Sequence, residues 1–247
     1  MTITAQPART AAIVTALALV LGGCQPSTEP TVPSTEAEVA EFAFVESAEP
    51  DAVSGCLQPG DIALALDAPG VPTEAIAYGE GDRGVILAHQ SGQGPCSWDA
   101  YGRELAAGGY TVIIPMLTAD AAPLLQAAAD WLGSKGVEDY ALVGASMGGA
   151  FVLAAGGSLS PEPAVVVALS PPVEHGGVDA LAGIPAITAP VLIAAAEDDE
   201  DFADAARELA GAQPAAELLI VPGTAHGIAL LASDESVAGA VREAVAR

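Results

Sequence analysis

Positively charged residues are scarce in this chain. Lysine occurs once, at Lys135, and lysine and arginine together number 7 against 32 aspartate and glutamate residues, which gives a formal net charge of −25. A surface of this charge repels the phosphates of nucleic acids, so the sequence predicts no nucleic-acid partner. The same acidity keeps a protein soluble and carries little information about a substrate.

Patterns that bind metals and cofactors are also missing. The chain has 3 histidines, and no two of them have the spacing of metal ligands. No G-x-G-x-x-G segment follows a predicted strand, which argues against a dinucleotide. We therefore predict a protein that works without a metal or another cofactor.

The N-terminal segment has the composition of a targeting signal. An apolar run over residues 11–21 follows Arg9 and is too short to be read as a membrane span. The next residues, Leu-Gly-Gly-Cys at 21–24, resemble the lipobox of bacterial lipoproteins. That resemblance implies a signal peptide over residues 1–23, lipidation of Cys24, and an exported domain anchored to the outer face of the cell membrane. The alternative is an ordinary secretory signal with a coincidental cysteine, which also exports the protein.

The region that follows divides into a tether and one domain. Residues 24–50 are rich in proline, serine, threonine and glutamate and lack apolar periodicity, which predicts a disordered tether. Residues 51–247 are long enough for one well-filled core. If Cys24 is lipidated, Cys56 and Cys96 remain as a pair in an oxidising compartment, and we predict a disulfide between them, with two free thiols as the alternative.

Strands and helices alternate along the domain, which predicts a parallel sheet covered on both faces. The predicted strands span residues 62–66, 73–78, 84–88, 110–116, 137–143, 164–169, 191–195 and 217–221. The predicted helices span residues 98–107, 119–133, 147–156, 200–211 and 234–247.

Ser146 lies on a tight turn between a strand and a helix. The apolar run before it ends at Gly144, and a helix-forming run begins directly after it, so the segment matches G-x-S-x-G. Gly144 and Gly148 occupy the two positions where a side chain would collide with the backbone of so sharp a turn. A turn of this kind lifts the serine hydroxyl out of the sheet towards a substrate.

Other reactive side chains follow other strands. In such a sheet, ligands bind beyond the carboxyl ends of the strands. The side chains predicted at that edge are His89 and Ser91, then Ser146, then Asp198 and Asp199, and finally His226. A serine, an acid and a histidine therefore follow one another in the chain order of a Ser-Asp-His triad.

The run from residue 84 to residue 226 resembles the α/β-hydrolase family. It has the histidine-containing loop after an early strand, the G-x-S-x-G elbow, an acid after a late strand and a histidine before the last helix. The resemblance implies an α/β fold with a mostly parallel, doubly wound sheet flanked by helices. It also implies a serine esterase, similar to dienelactone hydrolases, that acts on small carboxylic esters.

The resemblance assigns roles to three side chains. Ser146 would be the nucleophile, His226 the base and Asp199 the acid that orients it. The acid of the family usually closes a G-x-x-D segment, and here Ala196 replaces its glycine, which leaves Asp198 as a rival.

The resemblance also implies two backbone amides, those of Ser91 and Met147, that would bind an oxyanion. The family normally has glycine after the first histidine, and this chain has Gln90. We interpret His89 as a structural residue that braces this loop. We interpret His175 as an exposed loop residue, with contact to a substrate as the alternative.

The segment between residues 170 and 191 has room for a loop and one short helix but not for an inserted cap domain. The site should therefore be shallow and open. A hydrolase fold alone does not establish catalysis, so the alternative function is a surface lipoprotein that keeps the fold for binding.

Overall fold

The structure, a computed structural model, describes residues 42–47, 50–51, 53–66, 73–118 and 121–247. The predicted signal peptide, Cys24 and most of the predicted tether lie outside the described residues. Within the described part of the chain, no helix combines the length and apolar character needed to cross a membrane.

The centre of the fold is a sheet of nine strands. Its strands are β1 (Phe44–Glu46), β2 (Ile62–Leu66), β3 (Glu74–Tyr78), β4 (Arg83–Ala88), β5 (Tyr110–Pro115), β6 (Asp139–Ala145), β7 (Val165–Leu169), β10 (Val191–Ala196) and β11 (Glu217–Val221). A separate hairpin is formed by β8 (Glu174–His175) and β9 (Val178–Asp179).

The spatial order of the nine strands is β1-β2-β3-β5-β4-β6-β7-β10-β11. The first three strands run antiparallel to their neighbours, as β3 does against β5. From β5 to β11 every pairing is parallel. The predicted mostly parallel sheet is confirmed, and the carboxyl ends of its parallel strands lie along one edge.

Helices cover both faces of this sheet. They are α1 (Asp99–Ala107), α2 (Ala121–Ser134), α3 (Met147–Ala155), α4 (Ala180–Gly183), α5 (Phe202–Ala212), α6 (Ala229–Ser233) and α7 (Glu235–Val245). Three 3₁₀ turns accompany them, at Pro95–Trp98, Gly156–Ser158 and Ile184–Ala186.

Each face of the sheet has its own core. Alternate residues of a strand point to opposite faces, so Ile86 belongs to the core that also contains residues of α2, α3 and α5, while Leu87 belongs to the core that contains residues of α1 and α7. Both side chains are fully buried. This two-sided burial explains why the central strands read as continuous apolar runs.

The sheet begins earlier than the sequence predicts. The tether was expected to extend to residue 50, but β1 pairs with β2 and places Phe44 opposite Leu66. Phe44 is buried at 7% exposure. A three-residue strand at the sheet edge has too little alternation to be recognised in a segment rich in glutamate and serine.

A disulfide joins the leading segment of the domain to the turn before α1. Cys56 and Cys96 are bonded with their Cα atoms 5.5 Å apart, as predicted. Arg103 of α1 reinforces the connection, because its guanidinium donates to the carbonyl of Cys56 and to the carboxylate of Asp61. The C-terminal end of the loop after β4, where Cys96 lies, is therefore anchored to the leading segment of the domain.

Candidate active site

Ser146 joins β6 to α3 in a strained conformation. Its φ of 49° lies in the left-handed region, which residues other than glycine rarely adopt. Its N–H donates to the carbonyl of Leu169 on the neighbouring strand, and its carbonyl accepts from Ala150 in the first turn of α3. The residue is 9% exposed. These hydrogen bonds to β7 and to α3 hold the strained turn in place.

The two glycines of the turn allow this close packing. A Cβ on Gly144 would lie 2.2 Å from the carbonyl oxygen of Gly148. A Cβ on Gly148 would lie 2.2 Å from the carbonyl oxygen of Ala88 and 2.7 Å from that of His89. Only glycine fits at either position, and the loop after β4 therefore contacts the turn that carries Ser146.

His226 lies against a carboxylate at the same edge of the sheet. Its Nδ1 is 2.8 Å from one carboxylate oxygen of Asp199 and 3.1 Å from the other. Phe202 flanks the imidazole, with the ring centres 4.3 Å apart. The carboxylate fixes the Nδ1–H form of the ring, so Nε2 is left to accept a proton.

The structure distinguishes the two neighbouring aspartates. Asp199 is buried at 6% exposure, whereas Asp198 is exposed. The N–H of Asp198 donates to the carbonyl of Gly223, which ties the turn after β10 to the loop that carries His226. This backbone contact leaves the Asp198 side chain in solvent and directs Asp199 to the imidazole.

The hydroxyl of Ser146 is not joined to the imidazole. Within the described residues, the hydrogen bonds of His226 connect its ring to Asp199 and not to Ser146. Such a contact is often long without a substrate and tightens when one binds. The structure thus brings the predicted serine, acid and histidine to one edge of the sheet and forms one of the two links between them.

The two predicted oxyanion amides belong to different segments, the start of α3 and the turn after β4. Met147 is the first residue of α3, where the N–H groups have no acceptor within the helix. Ser91 is exposed on the turn after β4, which is closed by a hydrogen bond from the Gln93 N–H to the carbonyl of Gln90. Met147 follows Ser146 directly, and the segment that leads to Ser91 approaches the serine turn through Ala88 and His89.

His89 has the bracing contacts that the sequence predicts. Its Nε2 accepts from the Leu117 N–H at 2.9 Å, and its Nδ1 lies 3.0 Å from the carbonyl of Gln90. The acceptor role of Nε2 means that Nδ1 carries the proton. Burial lowers the pKa of His89, and the bond to the Gln90 carbonyl opposes that shift. The neutral imidazole of His89 therefore links the loop after β4 to the loop after β5.

His175 lies on the small hairpin beside α3. Its ring meets that of Phe151 edge-on, with the centres 6.1 Å apart. The residue is half-buried, so it is less exposed than predicted. Among the residues that the structure describes, no group of three histidine, cysteine or carboxylate side chains is placed to hold a metal ion.

Two further contacts hold the segment after His226, and the sequence did not indicate them. The hydroxyl of Ser170, at the end of β7, accepts from the N–H of Gly227 at 3.0 Å. The side-chain carbonyl of Gln90 accepts from the N–H of Ile228 at 3.2 Å. The only signal in the sequence was that Gln90 departs from the family pattern.

No protein-family model matches the chain. No curated protein matches it either. Solved structures do match. The dienelactone hydrolase from Anabaena variabilis has a TM-score of 0.61 and 21% identity over 76% of this chain and 95% of that chain. Est1E from Butyrivibrio proteoclasticus has a TM-score of 0.61 and 18% identity over 75% of this chain and 99% of that chain.

A structure from work on the carboxylesterases of Nitrososphaera gargenis has a TM-score of 0.60 and 12% identity over 74% of this chain and 97% of that chain. At these identities the likeness shows the fold. The chain has the α/β-hydrolase fold that the sequence predicts. In the described segment between β7 and β10, the structure forms a short hairpin, α4 and a 3₁₀ turn.

Proposed function

We propose that this chain is a serine hydrolase that cleaves small carboxylic esters through an acyl-enzyme intermediate. The observation that carries the proposal is the contact of His226 with buried Asp199 at the sheet edge where Ser146 sits on its strained turn. A binding protein has no need to hold a serine in the left-handed region or to bury a carboxylate against an imidazole.

In the first half of the reaction, Ser146 attacks the ester carbonyl. Nε2 of His226 takes the hydroxyl proton and then gives it to the leaving alcohol. Asp199 keeps the ring in the required tautomer and stabilises the imidazolium. In the second half, water attacks the acyl-serine by the same route, which releases the acid and restores the hydroxyl.

The negative charge on the carbonyl oxygen is stabilised by the N–H groups of Met147 and Ser91. Each such donor contributes about 3 kcal/mol to the transition state in comparable sites. The position of Met147 at the start of α3 adds the positive end of the helix dipole. No metal is required for this chemistry.

The choice of ester as substrate draws on the neighbours in fold. One is a dienelactone hydrolase, and another comes from a study of carboxylesterases. A serine at the elbow also suits acyl transfer, whereas haloalkane and epoxide hydrolysis on this fold requires a carboxylate nucleophile.

Labelling with a fluorophosphonate tests the proposal, because this reagent modifies serines activated by a nearby base. The native chain should be labelled, and Ser146→Ala should abolish labelling. Ser158→Ala, at an exposed serine one turn beyond α3, is the control and should be labelled like the native chain. A native chain that stays unlabelled would favour the binding function instead.

We also propose that the protein is exported and held at the membrane by a lipid on Cys24. The proposal rests on the apolar segment and the Leu-Gly-Gly-Cys sequence that follows it. In cells given a radioactive fatty acid, the native protein should incorporate the label and sediment with membranes. Cys24→Ser should lose both properties, and persistence of the label in that variant would contradict the proposal.

A further inference from the structure

We propose that Gln90 positions His226 for catalysis by holding the backbone of the segment after it, a role that rests on the hydrolase function proposed above. The side-chain carbonyl of Gln90 accepts from the N–H of Ile228, 138 residues further along the chain. Gln90 follows β4 and Ile228 follows the histidine loop. The contact therefore spans the edge of the sheet on which the proposed site is built.

Gln90 is itself firmly placed. Its backbone carbonyl accepts from the Nδ1–H of His89 at 3.0 Å and from the N–H of Gln93 at 3.2 Å. His89 is in turn 2% exposed and bound through Nε2 to the N–H of Leu117. With its main chain fixed at two points, the Gln90 side chain presents its oxygen in a defined direction.

The opposing segment is shaped to receive that oxygen. Gly227 has a φ of +58°, and a Cβ there would lie 2.4 Å from the Gln90 oxygen. The hydroxyl of Ser170, which is fully buried, accepts from the N–H of Gly227 at 3.0 Å. The two successive amides after His226 are thus bound by side chains from the ends of two different strands, β4 and β7.

These backbone contacts fix the position of the His226 Cα, from which the imidazole extends. Asp199 binds Nδ1 and sets the rotation of the ring, but the Cα of His226 is located by the main chain around it. A displacement of about 1 Å in a catalytic group can cost about 100-fold in rate. Gln90 touches neither the substrate nor the reacting atoms, so it is a positioning residue.

Gln90 also precedes Ser91, whose amide is the proposed second oxyanion donor. One residue therefore connects the loop that binds the carbonyl oxygen with the loop that carries the base. The glycine that the family normally has at this position has no side chain and could not make such a contact.

The test compares three variants of the full chain on an aryl acetate. Gln90→Met keeps the length of the side chain and removes the acceptor, whereas Gln90→Glu keeps an acceptor oxygen. Gln126→Met is the matched control, because the Gln126 side chain also binds a backbone N–H, that of Ser160, at a site that the proposed chemistry does not use.

We expect Gln90→Met to lower kcat by about 10- to 100-fold, with KM changed by less than about threefold. Gln90→Glu should restore at least half of the native kcat, and Gln126→Met should leave kcat within about twofold. A Gln90→Met enzyme with native kcat, or a Gln90→Glu enzyme as impaired as Gln90→Met, would overturn the positioning role.

A second measurement does not depend on activity. The chain has 3 histidines, so the imidazole signals of a histidine-labelled sample can be assigned by NMR. Gln90→Met should accelerate exchange of the His226 Nδ1 proton with water at least tenfold, and Gln126→Met should not. If the native chain neither hydrolyses esters nor labels, the hydrolase proposal fails, and unchanged exchange in Gln90→Met would separately overturn the role of Gln90.

Discussion

A Cβ on Gly148 would lie 2.2 Å from the carbonyl oxygen of Ala88, so α3 starts in direct contact with the end of β4. The contact places the serine turn and the loop after β4 within one packed unit. Since backbone meets backbone there, no side-chain rearrangement can make room for a larger residue.

We therefore expect Gly148→Ala to destabilise the fold by about 1–3 kcal/mol or more, through overpacking against strand β4. Urea denaturation followed by circular dichroism measures the change. Gly239→Ala is the matched control, because a Cβ at that helical position has no atom within 4 Å.

Gly239→Ala should raise the free energy of unfolding, since alanine is favoured over glycine in a helix interior by about 1 kcal/mol. Equal stability changes for the two variants would contradict the packing explanation for Gly148.

Asp199→Asn should lower kcat on an aryl ester by about 10³- to 10⁴-fold, because an amide in this position stabilises the wrong tautomer of His226. The variant should keep the native fold. Asp198→Asn removes the neighbouring carboxylate, which is exposed, and should keep kcat within about twofold. A larger loss in Asp198→Asn than in Asp199→Asn would reassign the acid.

The sequence predicts those parts of the site that depend on local sterics. The turn at Ser146 could be recognised because Gly144 and Gly148 are required by the turn itself. The resemblance favours Asp199 but leaves Asp198 as a rival, because the placement of the two side chains depends on a backbone bond to Gly223 on another loop. Local patterns contain no information about such a contact.

The contact between Gln90 and Ile228 was missed for the same reason. Its partners are 138 residues apart, and neither residue type identifies the other. Strand β1 was missed because it is three residues long and lies at the edge of the sheet, where it pairs with β2. The main strands were predictable, since burial on both faces makes each of them a continuous apolar run.

Removal of the disulfide by the double variant Cys56→Ala and Cys96→Ala should lower the free energy of unfolding by about 2–4 kcal/mol. The bond closes a loop with a sequence separation of 40 residues and so restricts the unfolded chain. We expect a loss towards the lower end, because Arg103 still binds the Cys56 carbonyl and Asp61.

Chemical denaturation with and without a reductant checks this prediction. The native protein should lose stability in the reductant to about the level of the double variant, and the double variant should not respond. If the reductant left the unfolding free energy of the native protein unchanged, the disulfide would contribute nothing to stability in solution.

His89 should make the fold less stable as the pH falls below the ordinary histidine pKa of 6.5. Burial lowers its pKa in the folded state, so the unfolded chain binds the proton more tightly. Stability therefore rises with pH through the interval between the lowered pKa and 6.5, by at most about 1.4 kcal/mol per pH unit.

His89→Gln keeps an acceptor for the Leu117 N–H and cannot titrate, so its unfolding free energy should lose this part of the pH dependence. His175→Gln, at a half-buried hairpin residue, serves as the control and should retain it. The comparison requires urea unfolding at several pH values from neutral to mildly acidic, and identical slopes in native and His89→Gln chains would contradict the assignment.

The open edge of the site predicts a preference for short acyl chains. In the described segment between β7 and β10, the chain forms the β8–β9 hairpin, α4 and a 3₁₀ turn, so this segment is too small to place a cap domain over Ser146. Cavities of about 320 and 230 Å³ exist, but neither is lined by Ser146 or His226. A long acyl chain would therefore extend into water.

A buried methylene contributes about 0.8 kcal/mol, or about fourfold in kcat/KM, and an acyl group in solvent gains none of this. Across 4-nitrophenyl acetate, butyrate, octanoate and palmitate, kcat/KM should be highest for the short esters and decline for the long ones. Ser146→Ala supplies the background rate at each length. A steady rise from acetate to octanoate would require an apolar channel beside the serine and would contradict the open site.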